Sequence, residues 1–366
     1  MLDFASALYL GLGHASTTLR PWVTFTTGAP AALSPSPGGQ AVGRRMATLQ
    51  GCEAGTLAPS TLHLFWDLFG ILARESVAIY VDEAAYPIGR WGVERAAALG
   101  VPVRNFAHHE PDALRRLLCN DARRGLRPVV LADGYCPGCG VMAPVGEYRT
   151  CVQDRGGYLV LDDTQALGIF GWGPGHDAPY GHGGGGTLPR SSIAGPDVLV
   201  ISSLAKGFGV PAAVLAAGEI AVRHFEEHSA TRVHCSPASA AVVRAAEHAL
   251  AVNEAYGNEL RLRLAGLVQR FRRRAAKVGL SPVGGLFPVQ TLAPLSFSAA
   301  RTLHAGLLRR GVRTVLHRPA CRPGAAVSFL ITARHHPGDI DLAAVALAEI
   351  FKVCAFGQVC TGGPHP

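Results

Sequence analysis

Lysine is nearly missing from this 366-residue chain. Lys206, Lys277 and Lys352 stand against 31 arginines. The bias fits codon usage in a GC-rich genome, but it leaves only three amines for any chemistry that needs one. Charge is scarce altogether, at 16% of residues against 48% hydrophobic. That excludes disorder, because a disordered chain is charge-rich and apolar-poor. No run reaches the roughly 18 apolar residues needed to span a bilayer. The start, MLDFASALYLGLGHAS, carries Asp3 and no basic n-region, so it is expected to be mature protein rather than a leader. Nine cysteines at irregular spacing do not make a disulfide scaffold. Free thiols and a reducing cytoplasm are expected.

What charge there is sums to +8. A basic nucleic-acid protein clusters its charge and interleaves aromatics. Here the arginines are scattered, often as pairs (Arg115-Arg116, Arg123-Arg124, Arg309-Arg310). The one dense run, Arg270 to Arg274, lies on an amphipathic pattern and is read as a solvated helix face. The balance suits an anionic small substrate or a phosphate-bearing cofactor, not nucleic acid or a membrane.

At roughly 150 residues per domain the length implies about two domains. No fixed-period repeat is present. Short apolar runs at Val77–Val81, Pro128–Ala132, Tyr158–Leu161, Val198–Ile201 and Val214–Ala217 predict buried parallel strands. Helical patterns at Thr61–Arg74, Val93–Leu99 and Pro111–Arg124 alternate with them. The expected class is therefore α/β with a mainly parallel sheet. Ala238 to Val278 reads as one or two long helices. After it, Val289–Ser296, Ala300–Arg310, Val312–Leu316, Val327–Thr332 and Ile340–Ile350 alternate strand and helix as a smaller α/β unit. The expected units are an N-terminal segment (1–45), a large domain (46–255) and a small C-terminal domain (256–366). Gly173–Ile193 is rich in Gly, Pro and His and is read as a surface loop. The tail after Phe351 shows no clear element.

Four short stretches carry the candidate chemistry. A strand ends in Asp162-Asp163 within GYLVLDDTQA, and in open α/β sheets ligands sit beyond the C-terminal ends of strands. Alone, this is equally an ordinary strand-end Asp starting a turn. A second strand runs into Ser202-Ser203-Leu204-Ala205-Lys206-Gly207. Small neighbours would let that lysine approach a bound ring, and a poorly solvated lysine has a lowered pKa and becomes a nucleophile toward an aldehyde; alone, the stretch equally fits a surface lysine in a loop. Ser60-Thr61-Leu62 opens a helix, where a hydroxyl caps and free N–H groups bind phosphate. Tyr86 follows a strand, where an aromatic can stack on a flat ring or serve as an ordinary core or rim tyrosine. The order of phosphate cup, aromatic, strand-end Asp and strand-end Ser-x-x-Lys is that of fold-type I pyridoxal phosphate enzymes.

On these residues the sequence resembles the α-oxoamine synthases. Phe4-Ala5-Ser6-Ala7-Leu8-Tyr9-Leu10-Gly11-Leu12 looks like that family's F-A-S-N-D-Y-L-G-L segment. DDTQALGIFG from Asp162 looks like D-E-A-H-S-F-G-V-L-G. Asp133-Gly134 with Ala143-Pro144, and Ser203 to Gly209, resemble two further motifs. The resemblance implies that Lys206 carries the cofactor as a Schiff base and that Asp162 pairs with the pyridinium nitrogen. It implies that Ser203 and the Ser60, Thr61 and Leu62 backbone hold the phosphate. Tyr86 takes the place of the family's stacking histidine, and Gln165 that of the histidine near the ring hydroxyl. Family members are usually homodimers with sites at the subunit interface, and Ser236 is aligned with a hydroxyl reaching the neighbour's phosphate.

The departures concern substrate. The family's Asn is Ala7, and the C-terminal Arg that binds the amino-acid carboxylate is replaced by Ser328 or Phe329, with Arg334 as the substitute cation. The expectation is a pyridoxal phosphate transferase condensing an amino substrate with an acyl thioester or another electrophile. Asp162-x-x-Gln165 and Leu204-Ala205-Lys206-Gly207-Phe208-Gly209 also resemble class III aminotransferases, so transamination stays open. A non-catalytic subunit is a third reading, disfavoured because Lys206 is present.

Cys136-Pro137-Gly138-Cys139 supplies two ligands where zinc needs four, and no second C-x-x-C exists. It is read as a loop near substrate, and no metal site is expected. His176, His182 and the pairs His108-His109 and His335-His336 are read as solvent histidines.

Overall fold

The computed structural model describes residues 1–121 and 125–359. The chain opens with strand β1 (Leu2–Asp3) and, after a long irregular stretch, enters helix α1 (Gly39–Leu49). The large unit follows as β2 (Ala54–Ala58), α2 (Thr61–Leu72), β3 (Val77–Asp82), α3 (Pro87–Ala98), β4 (Val103–Phe106) and α4 (Pro111–Asp121). It continues through β5 (Arg127–Asp133), a hairpin of β6 (Tyr135–Cys136) and β7 (Val141–Met142), α5 (Val145–Gln153) and β8 (Tyr158–Asp162). Then come α6 (Thr187–Ser191), β9 (Val198–Ser203), β10 (Ala213–Ala217), α7 (Glu219–His228) and α8 (Ala230–His234). Helix α9 (Ala240–Ala276) leads to β11 (Val289–Thr291), α10 (Phe297–Arg309), β12 (Val312–Arg313), β13 (Val315–His317), β14 (Ala326–Leu330) and α11 (Pro337–Val359).

Seven strands form the central sheet in the order β2-β10-β9-β8-β5-β3-β4. β10 runs antiparallel to both neighbours, and the other pairings are parallel. This is the expected mainly parallel α/β architecture, except that Val214–Ala217, expected as a parallel strand, lies in the antiparallel β10. The reason lies in the strands: β3 is buried along its whole length. Its Val77, Ile79 and Val81 join one core with α2 and α3, while Ala78 and Tyr80 join another with α4 and α5. Successive side chains point to opposite faces, so a strand covered by helices on both sides must be apolar at every position. The edge strands β2 and β4 carry Gly, Thr, Arg and Asn and gave no apolar run to detect.

The C-terminal sheet runs β11-β14-β13, antiparallel throughout. The stretch 312–316, expected as one strand, divides: β12 pairs with β1 in parallel, and β13 pairs with β14. Phe4, Tyr9 and Leu10 are buried in the C-terminal core, so the first residues of the chain pack with its last third. Helix α9 is a single helix of 37 residues that crosses position 255.

Other expectations need correction. In the Gly-rich stretch, Gly184 to Leu188 are buried, and Thr187 bonds the buried Asp163; the exposed parts are 173–177 and Ser191-Ser192. The Arg270–Arg274 run is not simply solvated, since Arg270 and Arg274 both grip Asp341 on α11 and Arg272 bonds the Pro282 carbonyl. His335 is buried and stacks on Phe4 with centroids 4.3 Å apart. Helix α11 runs past Phe351 to Val359. Arg123, Arg124, the residues after 359 and the Lys352 side chain lie outside what is described. Among the described residues no helix is long and apolar enough to cross a membrane.

Candidate cofactor-binding site

Parallel strands end at the same edge, so the polar residues that terminate them are collected there. Asp133 at the end of β5 lies in register with Asp162 at the end of β8, and Asp162 with Ile201 of β9. Ser203 ends β9 and Asp82 ends β3. Ala213 of β10 pairs on one side with Ser203 and on the other with Ala58 of β2. The start of α2 is thereby brought to within two strand spacings of Ser203, on the order of 10 Å.

Local bonds shape this edge. Thr164 donates its N–H to Asp162 Oδ1 at 3.0 Å, and its hydroxyl oxygen accepts the Ser203 N–H at 3.0 Å, tying the ends of β8 and β9 together. Ser203 Oγ accepts the Ala205 N–H and so turns the chain toward Lys206. Gly207 packs tightly here: a Cβ would lie 2.5 Å from the Leu167 carbonyl oxygen. The small residue beside Lys206 therefore also serves backbone packing against the 165–168 turn.

Lys206 makes no hydrogen bond among the described residues. Its Nζ lies 6.0 Å from the centroid of the Tyr86 ring. Burial lowers its pKa, opposed by the nearby Asp162 and Asp133 carboxylates. Burial raises the pKa of Asp162, against the Thr164 bonds and the charge of Lys206. Asp133 is raised well above the usual carboxylate range by burial and then by Asp162. Two carboxylates and one amine thus share a site with too little water to favour their charged forms. Asp133 was not among the residues singled out from the sequence, although Asp133-Gly134 was part of a matched motif. It accepts the Tyr86 N–H at 3.0 Å and so fixes the start of α3, from which the half-exposed Tyr86 side chain projects.

Gln165 Oε1 accepts the Tyr9 hydroxyl at 2.7 Å. Tyr9 is fully buried, so the N-terminal segment positions Gln165. Ser60 is extended at the N-cap of α2, but its hydroxyl pairs with His63 Nδ1 at 2.9 Å instead of capping. The first-turn N–H groups at Thr61 and Leu62 are left without the expected side-chain cap. Ser236 shares a small recess with Pro59 and His63 beside the same helix start.

The substrate candidates fare differently. Ala7 sits in the N-terminal segment, where its carbonyl accepts the Tyr9 N–H. Ser328 is buried on β14 and is engaged with Thr291 Oγ1 (2.8 Å) and His317 Nε2 (2.7 Å). Arg334 donates through Nε to the Gly11 carbonyl at 2.6 Å and lies along Gly11 and Gly13. Among the described residues no hydrogen bond or ion pair joins Ser328 or Arg334 to Lys206 or Asp162. The buried neighbour of Ser328, Phe329, packs on Phe4 and Phe271 in the C-terminal core.

Asp163 points away from this cluster, to the Thr187 hydroxyl and N–H. Burial raises its pKa to about 7. A carboxyl raised on folding stabilises the folded state fully below its unfolded value near 3.8, and the contribution is lost as pH rises through the folded value. The unfolding free-energy advantage of the cofactor-free chain over Asp163→Asn, read from urea titrations, should therefore shrink between pH 4 and pH 7, by about 1.4 kcal/mol per pH unit. A constant gap across that range would contradict the assignment.

The reading of Cys136 and Cys139 as a loop without further ligands misses what the fold brings alongside. His108 and Cys321 stand next to them, and His108 and His109 are half-buried and stacked rather than solvent-facing. Ligands supplied singly from distant positions leave no spacing signature. A separate cavity of about 560 Å³ lies at the opposite edge of the sheet, by Tyr158, Leu199 and Phe225, and includes none of the cofactor-site residues.

Comparison with known proteins agrees with the geometry. The 8-amino-7-oxononanoate synthase of Serratia proteamaculans (strain 568) is 28% identical over 254 residues, 68% of this chain and 62% of that protein, so this match spans less than two thirds of the relative. The one from Citrobacter koseri is 26% identical over 351 residues, 93% of this chain and 87% of that protein. A serine palmitoyltransferase variant from S. paucimobilis, solved with bound PLP and myriocin, superposes with a TM-score of 0.84 at 14% identity, covering 96% of this chain and 88% of that one. The fold is that of fold-type I PLP enzymes, and the relation to the α-oxoamine synthases is distant. The profile of the family described as aminotransferase class I and II matches residues 66–347. The chain belongs to the aminotransferase class I and II family.

Proposed function

We propose that this protein is a pyridoxal phosphate-dependent transferase that forms a carbanion from an amino substrate and joins it to an acyl thioester or another electrophile. The observation that carries the reading is Lys206, an amine with no hydrogen bond among the described residues, set against Asp162 and the Tyr86 ring. These residues fit the cofactor on structural grounds: a lysine of lowered basicity, a buried carboxylate in need of a cationic partner, an available aromatic face and uncapped helix N–H groups.

When bound, pyridoxal phosphate supplies an aldehyde and an electron-accepting ring. Lys206, less basic than a solvated lysine, is available as the neutral nucleophile and later as the base that removes the substrate α-proton. Asp162 would hold a proton on the ring nitrogen. Tyr86, its backbone fixed by Asp133, would cover one ring face. Gln165, anchored by Tyr9, would stand at the ring hydroxyl. The Thr61 and Leu62 N–H groups, with Ser60 and Ser203, would hold the phosphate. Ser236 would complete the partner's phosphate site in a homodimer. Large exposed side chains at Leu62, Trp66 and Tyr86 around the α2 and α3 starts support a covering second copy. Ala7 and Ser328 in place of polar and cationic residues, and Arg334 engaged with Gly11, support an amino substrate unlike the family's usual α-amino acids. A cytoplasmic location suits the free thiols.

The purified protein should show a cofactor band that borohydride fixes on Lys206. Amino substrate alone should shift the band without releasing a keto acid. Keto-acid release with conversion to pyridoxamine phosphate would instead establish the aminotransferase reading, which Gln165 and the Leu204–Gly209 loop support. A protein that takes up no cofactor would sink both and return the chain to the non-catalytic reading.

A further inference from the structure

Outside the cofactor site, four metal-ligating side chains converge: His108 from the turn after β4, Cys136 and Cys139 from the β6–β7 hairpin, and Cys321 from the loop between β13 and β14. Their donor atoms all lie within 4.8 Å of one another. His108 Nε2 is 3.4 Å from Cys139 Sγ. A tetrahedral zinc with bonds of about 2.3 Å to sulfur and about 2.05 Å to nitrogen holds its ligands about 3.6–3.8 Å apart. The cluster is already near that size.

The surroundings are those of a built site. His108 Nδ1 faces Asp82 Oδ1 at 2.7 Å. That carboxylate also receives the Ala84 N–H, the His109 N–H and the Tyr148 hydroxyl, so it is fixed from three further sides. A carboxylate holding the remote ring nitrogen sets the tautomer and aims the Nε2 lone pair at the metal. His109 adopts a left-handed φ of 59°, a costly conformation for a non-glycine residue, and its N–H bond to Asp82 anchors the turn that presents His108. In the hairpin the Gly140 N–H donates to the Cys136 carbonyl at 2.8 Å, closing the turn. Gly138 has no room for a side chain, because a Cβ would lie 2.7 Å from Cys321 Sγ and 3.7 Å from Cys136 Sγ. Cys136, Cys139 and Cys321 form no disulfide.

We propose that His108, Cys136, Cys139 and Cys321 bind a structural zinc ion. A closed set of three thiolates and one imidazole suits zinc and leaves no open position for catalysis. The ion staples the C-terminal unit, through Cys321, to the large unit. It also braces the turn from Asp82 to Tyr86, because Asp82 holds both His108 and the Ala84 N–H.

The test is metal analysis of the full-length protein purified under reducing conditions. About one zinc per chain is expected, lost in Cys321→Ser and in Cys136→Ser/Cys139→Ser, and kept in Cys119→Ser, which alters an exposed thiol on α4. If the loss variants do not fold, cobalt added to the metal-free wild type gives the independent measurement. It should produce a thiolate-to-cobalt charge-transfer band with tetrahedral d–d bands, and zinc should displace it. Metal content near zero with no cobalt band would overturn the proposal. So would a disulfide between any two of these cysteines in the reduced preparation, found by peptide mapping. Neither measurement depends on the cofactor, so the zinc site and the pyridoxal phosphate reading can fail separately.

Discussion

Lys206→Ala should leave a folded chain that no longer carries a borohydride-fixable cofactor band, with turnover reduced by about 10³-fold or more. Among the described residues the side chain makes no hydrogen bond that the fold would miss, and its pKa is already depressed by burial. Its removal therefore costs chemistry and little stability. Lys277→Ala is the matched control, since Lys277 is the exposed C-cap of α9. Reduction with borohydride followed by peptide mapping checks the first outcome, and steady-state rates the second. If the alanine variant kept the fixable band, the amine would have to be another one, and the reading of the β9 end would fall.

Asp162→Asn should retain bound cofactor and lose about 10²- to 10⁴-fold in rate. The amide oxygen can still accept the Thr164 N–H, so the local backbone is preserved. What disappears is the negative charge beside Lys206 and Asp133. With that repulsion gone, the Asp133 carboxyl ionises more easily, and Lys206 loses one of the two charges that support its protonated form. The cofactor-free variant should be at least as stable to urea as the parent near neutral pH, because a buried carboxylate without a bound cation is costly. Loss of rate with no loss of stability marks a group held in place for chemistry at the expense of the fold. A variant that kept parental turnover would remove Asp162 from the mechanism.

The sequence was most legible where one local signal decided the outcome. Val77–Val81, Tyr158–Leu161 and Val198–Ile201 were readable as strands because burial on both faces forces an unbroken apolar run. Asp162 and Lys206 were readable because each follows such a run, and strand ends are where an α/β sheet binds. Ser60 lies at the helix start, as its residue type predicts, but its hydroxyl faces His63 and caps nothing. Asp133 was within reach, as the same strand-end signal marks it, yet its role depends on the register that sets it beside Asp162 and on the Tyr86 N–H it receives.

By itself the sequence determined the α/β class, the parallel core of the sheet and the positions of the amine and the carboxylate, because hydrophobic periodicity and strand ends are local properties. Only the tertiary structure decided the rest. It returned Phe4, Tyr9 and Leu10 to the core of the last third and so gave Gln165 its anchor. It bonded the buried Ser328 to Thr291 and His317, and the exposed Arg334 to the Gly11 carbonyl. It gathered His108 and Cys321 around a lone C-x-x-C. Those contacts join residues far apart along the chain, and no spacing pattern encodes them, because chain closure over such lengths is fixed by the packing of whole elements.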